Sequence, residues 1–244
     1  MMKWILVTGG SRGIGAAIAR LAGQRGYGVV VNYRQRASEA EALVAELGGA
    51  ALAVQADLSR ESEIVRLFQR LDEIGPLYGL VNNAGILEQQ TDLLGIDQER
   101  LQRVFATNLF GPVLCCREAV RRMSTRRGGR GGVIVNISSI AARLGSPNEY
   151  LDYAASKGAL DTFTIGLARE VADQGILVNA LRPGVVHTEI HALGGEPARA
   201  ERIGPMIPLG RSGQPEEIAG LVLWLLSAEA SYTTGAIFDV SGGR

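Results

Sequence analysis

The chain has 244 residues, and its 25 basic and 25 acidic side chains give a formal net charge of zero. This balance lacks the basic surface typical of proteins that bind nucleic acid or an anionic membrane, so we expect neither partner. The two cysteines, Cys115 and Cys116, lie in an apolar helical pattern, which we interpret as small buried residues and not as a disulfide or metal pair. With no secretory signal pattern and no long apolar run, a cytoplasmic location is the expectation.

The first predicted element is a short buried strand, followed by the glycine-rich turn Thr8-Gly-Gly-Ser-Arg-Gly-Ile-Gly15 and an alanine-rich helix. Glycine lets the backbone approach a pyrophosphate closely, and a helix N-terminus offers free N–H groups and a partial positive charge. The spacing differs from the commoner G-x-G-x-x-G pattern, but strand, turn and helix follow in the order that dinucleotide sites use. We therefore predict a dinucleotide cradle with contacts from Gly9, Ser11, Arg12, Gly13, Ile14 and Gly15.

The second predicted strand ends in Asn32-Tyr33-Arg34-Gln35-Arg36. In NAD sites a carboxylate at this place holds the ribose 2′-hydroxyl, and the segment contains none. Arg34, together with Arg12 across the first turn, suits a 2′-phosphate in geometry and charge. The sequence therefore favours NADP over NAD, with Asn32 and Tyr33 beside the cofactor. We interpret Arg36 as a solvated residue before the next helix.

Strands and helices are predicted to alternate along the chain. The strands are predicted at 4–7, 28–32, 51–55, 79–85, 132–136, 178–181 and 236–240, and the helices at 16–24, 38–47, 59–74 with Ser59 as N-cap, 97–123, about 150–173 and 216–227. This order predicts an α/β fold, with a doubly wound parallel sheet of about seven strands and helices on both faces, in one domain over 1–244. Residues 141–149 are predicted as a loop, and the long stretch 185–215 as a substrate-binding lid.

Unusual residues follow the carboxyl ends of the predicted strands. They are the glycine turn, Asp57, the run Asn82-Asn83-Ala84-Gly85, the pair Ser138-Ser139 and the pair Pro183-Gly184. Ligands bind at this edge of open α/β sheets, so we expect these residues to surround one site. Asn108 stands in the apolar middle of a predicted helix, close before Gly111-Pro112, and predicts a kink where its side chain meets another group.

Tyr153 and Lys157 are four residues apart on a predicted helix and therefore share one face. An ammonium group within a few ångströms favours the phenolate, so we expect Lys157 to lower the pKa of Tyr153 and to make it an acid–base catalyst. The alternative from this pair alone is an ordinary amphipathic helix that happens to carry the two residues.

Taken together and in order, the motifs resemble those of the short-chain dehydrogenase/reductase family, of the single-domain type with a Rossmann-type fold. The resemblance covers the whole chain and rests on Thr8 to Gly15, Asn82 to Gly85, Asn108, the serine pair, Tyr153-x-x-x-Lys157, Pro183-Gly184 and the ending Asp239 to Gly243. Residues 143–153 are similar to bacterial members labelled glucose-1-dehydrogenase-like.

The resemblance implies roles for residues that match the family motifs. It makes Tyr153 the general acid in reduction and the base in oxidation, and Ser139 the group that polarises the substrate oxygen. Lys157 binds the nicotinamide ribose, and Asn108 holds a water that links Lys157 to solvent. Further cofactor contacts are implied for Asp57, Leu58, Asn82, Asn83, Ala84, Gly85, Pro183, Gly184, Val186 and Thr188. A homotetramer or homodimer is also implied.

Two assignments have a rival in the sequence. Ser139 stands fourteen residues before Tyr153 and Ser138 fifteen, whereas thirteen is the commoner family spacing, so Ser139 is preferred. Tyr150 also roughly faces Lys157, but the preceding Pro147-Asn148 places Tyr150 at the helix start.

His187 and His191 are four residues apart and are interpreted as lid residues, one of which lines the substrate pocket. No metal site is predicted.

Three functions follow from these residues. The first is an NADP(H)-dependent oxidoreductase that interconverts a small-molecule carbonyl and an alcohol by hydride transfer, with NAD as the alternative cofactor. The second is a 3-oxoacyl-[acyl-carrier-protein] reductase, which needs a basic patch near the mouth of the site. The third, from a different class, is a nucleotide-binding sensor without turnover. The sequence names no physiological substrate.

Overall fold

The computed structural model describes residues 2–244 and contains a seven-stranded parallel sheet. The strands are β1 (Trp4–Val7), β2 (Gly28–Tyr33), β3 (Ala51–Gln55), β4 (Leu77–Asn82), β5 (Gly132–Ile137), β6 (Ile176–Pro183) and β7 (Ile237–Val240). Their order across the sheet is β3-β2-β1-β4-β5-β6-β7, so the direction of winding reverses between β1 and β4. The predicted doubly wound Rossmann-type fold is confirmed.

Helices cover both faces of the sheet. They are α1 (Gly13–Gln24), α2 (Ala37–Leu47), α3 (Glu61–Asp72), α4 (Gln98–Phe105), α5 (Gly111–Met123), α6 (Ala141–Leu144), α7 (Leu151–Val171), α8 (Ile190–Leu193), α9 (Arg199–Ile203) and α10 (Pro215–Leu225). Within the described part of the chain, no helix is both long enough and apolar enough to span a bilayer.

The central strands are apolar runs because both faces of the sheet are buried. In β1, Ile5 and Val7 pack into one core with side chains of α1 and α10. Leu6 points to the opposite face and packs into a second core with side chains of α3, α5 and α7. If such a strand slipped by one residue, its side chains would lose their packing in both cores. The register that positions the strand ends is therefore fixed.

Three local predictions differ from the structure. The N-cap of α3 is Arg60, not Ser59, whose N–H and hydroxyl instead donate to Asp57 Oδ1 at 3.0 and 2.8 Å. The predicted helix over 97–123 is divided into α4 and α5 by a π-helical turn, Ala106–Phe110, which contains Asn108. The predicted loop 141–149 contains the short helix α6, because its backbone closes hydrogen bonds such as Leu144 N–H to Ile140 O at 3.1 Å.

The lid, residues 185–215, has a small core of its own. Val185 packs with Ala200, Ile203 and Ile207, and backbone hydrogen bonds join its two ends, with Gly213 N–H donating to Val185 O at 2.9 Å. The lid is therefore a folded element, built on α8 and α9, that projects from the carboxyl end of β6.

Replacing Gly15 by alanine tests how tightly α1 is seated on the sheet. A methyl group there would overlap the Gly9 carbonyl oxygen and come within 2.5 Å of Asn83 Nδ2. We expect the free energy of unfolding to fall by about 1–3 kcal/mol, measured by denaturant titration.

The matched control is Gly166→Ala on the exposed side of α7, where an added Cβ meets none of the described residues within 4 Å. Alanine favours helix over glycine, so this variant should gain up to about 1 kcal/mol. Equal changes in the two variants would contradict the packing described for the first turn of α1.

Candidate active site

The carboxyl edge of the sheet and the lid enclose a cleft of about 640 Å³. Its wall contains most of the predicted site residues: Gly9, Ser11, Arg12, Gly13, Ile14, Asn32, Tyr33, Arg34, Asp57, Leu58, Asn83, Ala84, Gly85, Ser139, Tyr153, Lys157, Pro183, Gly184, Val186 and Thr188. Most of these residues follow the ends of six strands, which the parallel topology brings together at one edge, whereas Tyr153 and Lys157 lie on α7 and Thr188 in the lid. Gly15, Asn82 and Asn108 were also predicted but lie behind the wall.

The glycine turn forms a cradle that side chains would fill. Gly9 has a φ of +58°, and a Cβ there would lie 2.9 Å from Ala84 Cα. Gly13 has a φ of +51°, and its Cβ would lie 3.2 Å from Thr188 Cγ2 of the lid. The open backbone and the N-terminus of α1 together fit the pyrophosphate of a dinucleotide.

Thr8 joins the glycine turn to the end of β4, a contribution that the sequence motifs did not reveal. The buried Thr8 hydroxyl accepts hydrogen bonds from the backbone N–H groups of Asn83 at 2.9 Å and Ala84 at 3.0 Å. In return, Asn83 Nδ2 donates to the carbonyl oxygens of Thr8 at 2.9 Å and Gly9 at 3.0 Å. The two sides of the cradle are thus held at a fixed separation.

Asn82 serves the core of the sheet and not the cleft wall. It is buried, and its Nδ2 donates to Asn136 Oδ1 at 2.9 Å, while Asn136 Nδ2 donates to Thr164 Oγ1 at 2.9 Å. The side chain thus lies under the sheet edge, since alternation along β4 turns it away from the cleft wall, and the expected contact of Asn82 with the cofactor stays a prediction. Gly15 likewise contributes close packing of α1.

Asn32 lies on the cleft wall, and its side chain is hydrogen-bonded to the backbone around it. Its Oδ1 accepts from Gly9 N–H at 3.3 Å, and its Nδ2 donates to Ala56 O at 3.1 Å. These bonds connect the glycine turn to the ends of β2 and β3, so Asn32 supports the cradle through its own hydrogen bonds.

Three arginines line the end of the cleft beside β1 and β2, where the adenosine half of a dinucleotide is expected. Arg34 is exposed on the wall, and Arg12 forms an ion pair with Glu189 of the lid at 2.6 Å. Arg36, which we interpreted as solvated, pairs with Glu39 at 2.9 Å and also lines the cleft. Burial raises the pKa of Asp57, but hydrogen bonds from Ser59 and the Arg34 charge outweigh it, so the net pKa is lowered and the group is ionised.

Ser139, Tyr153 and Lys157 meet at the opposite end of the cleft. Ser139 hydrogen-bonds to Tyr153, and Lys157 Nζ lies 5.7 Å from the centroid of the Tyr153 ring. Lys157 Nζ also donates to Ile137 O at 2.8 Å, which fixes the ammonium group beneath the ring. Ser138 instead donates its hydroxyl to Lys157 O at 3.3 Å, so the geometry favours Ser139 as the serine that faces a ligand.

The pKa of Tyr153 differs from the expectation that Lys157 lowers it. Burial, opposed by the hydrogen bond from Ser139, raises the pKa of Tyr153 to about 12. Burial also lowers the pKa of Lys157 to about 8, against the attraction of Asp161. Because both groups have little access to solvent, each favours its neutral form. The cost of burying the charged forms exceeds the stabilisation that the two charges would give each other in the cofactor-free protein.

Asn108 acts from behind the cleft. Its buried side chain pairs with the backbone of Ile86, accepting from Ile86 N–H at 2.8 Å and donating to Ile86 O at 3.0 Å. A Cβ on Gly85 would lie 3.4 Å from Asn108 Oδ1 and 3.6 Å from Lys157 Nζ. The π-helical turn thus aims Asn108 at the same small space as the ammonium group, as such turns often do at functional sites.

The lid side of the cleft carries the rival tyrosine and one histidine. Tyr150 is buried, donates its hydroxyl to Gly194 O at 3.3 Å and stacks under Arg199. His191 lines the cleft and bonds through Nε2 to Val186 O at 2.9 Å, while His187 lies outside it, 3.8 Å from Glu201. Tyr150 thus ties α7 to the lid.

Comparison with known proteins decides the family. A family model described as enoyl-(acyl carrier protein) reductase matches residues 9–244. The chain belongs to the short-chain dehydrogenase/reductase family. It is 55% identical to the uncharacterized oxidoreductase YgfF of Escherichia coli strain K12 over 247 residues, which cover 100% of both chains. The predicted family and the predicted oxidoreductase class are confirmed.

Two solved structures are similar over nearly the whole chain. A 3-ketoacyl-(acyl-carrier-protein) reductase from Brucella melitensis complexed with NADH has a TM-score of 0.93 and 32% identity, and covers 99% of this chain and 98% of that one. A blue fluorescent protein from a metagenomic library in complex with NADPH has a TM-score of 0.89 and 34% identity, with 99% and 97% covered.

Replacing Asn108 by alanine should destabilise the protein, since the Ile86 N–H and C=O groups lose their partners in a part-buried region. We expect the free energy of unfolding to fall by about 1–3 kcal/mol, measured by denaturant titration. Asn148→Gly, at a non-glycine residue with a φ of +60°, is the control and should leave stability equal or higher. Full stability of the Asn108 variant would contradict the pairing described.

Proposed function

We propose that the protein interconverts a carbonyl and a secondary alcohol, or a sugar hemiacetal, by NADP(H)-dependent hydride transfer. The observation that supports this most directly is one cleft that holds both a dinucleotide cradle and the Ser139–Tyr153–Lys157 group. When bound, a nicotinamide cofactor supplies or accepts the hydride at the carbonyl carbon.

The residues of the chain handle the oxygen and its proton. Ser139 and Tyr153 carry neighbouring hydroxyls, and we assign to them the two hydrogen bonds that hold the carbonyl oxygen and polarise it. Because its pKa is about 12, Tyr153 is protonated at neutral pH and ready to act as an acid. The Lys157 ammonium lies beside the ring and stabilises the phenolate that remains after proton transfer.

Asn108 is proposed to support the return of the proton. It and Lys157 converge on the space beside Gly85, which is where a water would connect the ammonium group to solvent. Asn108 also fixes Ile86 on the cleft wall, so it acts as a positioning residue for the loop that follows β4.

The preference for NADP rests on the guanidinium groups at the adenosine end. The cleft there is lined by Arg12, Arg34 and Arg36. A guanidinium group can donate two parallel hydrogen bonds to the oxygens of a 2′-phosphate and is attracted by its negative charge. Related structures carry NADH in one case and NADPH in the other, so these local residues, and not the fold, support the choice.

A 3-oxoacyl-[acyl-carrier-protein] reductase is the second candidate, favoured by the similarity to the Brucella enzyme. Such an enzyme needs free positive charge near the substrate entrance for the carrier protein. Here Arg199 is bonded to Glu149 at 2.6 Å and to Glu196 at 2.9 Å, and Arg202 also pairs with Glu196. Neutralised arginines favour a small uncharged carbonyl compound as substrate.

Two further expectations stay predictions: the homotetramer and the cytoplasmic location. The exposure of Leu101 and Phe110, on the segment that carries Asn108, supports an oligomer built on this surface.

Tyr153→Phe should abolish turnover while leaving the cofactor site intact, because only the acid–base hydroxyl is removed. We expect kcat/KM for carbonyl reduction to fall by about 10²-fold or more, with the NADPH dissociation constant within twofold, as an order of magnitude for general acid–base catalysis. Tyr232→Phe, at a fully exposed tyrosine outside the cleft wall, is the matched control and should retain activity. Binding of NADPH without turnover of any carbonyl by the unaltered protein would favour the sensor.

Arg34→Gln should weaken NADPH binding by about tenfold and leave NADH binding unchanged, since one charge-assisted contact to the 2′-phosphate is lost. Fluorescence titration with both cofactors measures this. Tighter binding of NADH than of NADPH by the unaltered protein would overturn the cofactor assignment.

The pH dependence of reduction should follow Lys157. Its ammonium form is present below about pH 8 and is lost above it, so kcat/KM for the carbonyl should be flat near neutrality and fall at higher pH. NADPH binding, titrated over the same range, separates chemistry from affinity. A rate that is constant up to pH 10 would contradict the role of Lys157.

A further inference from the structure

Glu189 occupies an unusual position between the lid and the adenosine end of the cleft. It directly follows Thr188, which touches the glycine cradle, and it directly precedes α8. Its carboxylate lies 2.6 Å from Arg12 and 3.5 Å from Arg36. The Glu189 cluster, defined as Glu189 with Arg12 and Arg36, therefore joins the lid to two of the arginines proposed to bind the 2′-phosphate.

The cluster lies where a ligand would meet it. All three side chains line the cleft, and they also line a smaller adjoining depression with Ala192, Leu193 and Pro197 of the lid. The Glu189 side chain is 58% exposed, so the ion pairs are accessible to solvent and open to exchange. Exposed pairs of this kind contribute little to stability, so the cluster is better placed to respond to a ligand than to hold the fold.

A carboxylate and a phosphate compete for the same guanidinium groups. The phosphate monoester at the 2′ position carries a charge of about −1.5 to −2 and three acceptor oxygens, whereas Glu189 offers one negative charge. The phosphate can therefore displace Glu189 from Arg12 and Arg36. The 2′-hydroxyl of NAD carries no charge and leaves both ion pairs in place.

We propose that Glu189 is a specificity-determining residue that competes with the cofactor 2′-phosphate for Arg12 and Arg36 and thereby couples NADP(H) binding to release of the lid. This proposal rests on the NADP preference proposed above. In the cofactor-free protein the Glu189 cluster links the beginning of α8 to the cradle by exposed ion pairs. Binding of the 2′-phosphate breaks the cluster, and the beginning of α8 then moves independently of Arg12 and Arg36.

The charges around the cluster limit how much the NADPH affinity can rise when the Glu189 charge is removed. Glu39 also pairs with Arg36, so removing the Glu189 charge frees Arg12 fully and Arg36 in part. One to two exposed ion pairs correspond to roughly three- to tenfold in affinity.

The test is Glu189→Gln, compared with the unaltered protein by fluorescence titration of NADPH and NADH at low ionic strength. We expect NADPH to bind roughly three- to tenfold more tightly in the variant, with NADH within twofold. At about 0.5 M salt the gain should shrink, because exposed charges are screened there. Calorimetric titration with adenosine 2′,5′-bisphosphate and AMP should give the same difference without a nicotinamide.

Glu201→Gln is the matched control, since Glu201 is an exposed lid carboxylate that faces His187 and lies outside the cleft wall. Glu201→Gln should change neither the NADPH affinity nor the NADH affinity. The proposal is overturned if Glu189→Gln leaves NADPH affinity unchanged, or if NADH gains equally, since the effect would then be general charge and not competition.

Lid motion gives a second, independent readout. In the unaltered protein, amide hydrogen exchange of residues 188–193 should increase with adenosine 2′,5′-bisphosphate and not with AMP, and Glu189→Gln should show the faster exchange without ligand. Exchange that is identical in all states would refute the coupling. If the unaltered protein turns over carbonyls and prefers NADPH while these tests fail, only the role of Glu189 is lost. Preference for NADH would refute the NADP assignment itself.

Discussion

The hydrogen bonds of the Thr8 side chain set the geometry on which the site depends. β1 lies between β2 and β4, at the point where the winding of the sheet reverses, and a crevice opens there beyond the strand ends. One buried hydroxyl binds the N–H groups of Asn83 and Ala84 and so fixes the two walls of this crevice relative to each other. The glycine turn on one side and the residues after β4 on the other can then present backbone, and not side chains, to a ligand.

Burial of charge is the second constraint, and it acts at the catalytic end. Tyr153 and Lys157 both have pKa values shifted towards their neutral forms by burial. This state suits reduction, because Tyr153 retains its proton until a substrate oxygen takes it. Oxidation instead needs the phenolate, which the positive charge of an oxidised nicotinamide would favour. The balance between the two directions is thus expected to depend on the bound cofactor as much as on Lys157.

Much of this arrangement could be predicted from the sequence because it depends on local order. The strand and helix periods give the sheet, and the sheet brings residues such as Arg34, Ser139 and Tyr153 to one edge. What could not be predicted depends on side-chain direction or on contacts distant in sequence. Asn82 and Asn83 are adjacent and chemically identical, but Asn82 is the last residue of β4 and points into the core, whereas Asn83 follows the strand and bonds to the glycine turn.

The pKa of Tyr153 and the contact of Glu189 with Arg12 belong to the same class of unpredictable feature. The first is set by burial of the Tyr153 side chain, and the second joins residues 177 positions apart. Motif spacing carries no information on either, so the carboxylate that pairs with Arg12 could not be predicted from the sequence.

The most direct test of hydride transfer is the fate of deuterium carried on the reactive face of nicotinamide C4. NADPH labelled there would be incubated with a panel of ketones, sugars and 3-oxoacyl thioesters, and the products analysed by mass spectrometry. The account predicts an alcohol with one non-exchangeable deuterium on the former carbonyl carbon, formed by the unaltered protein and not by Tyr153→Phe. Bound NADPH with no labelled alcohol from any carbonyl, or an equal yield from both proteins, would contradict it.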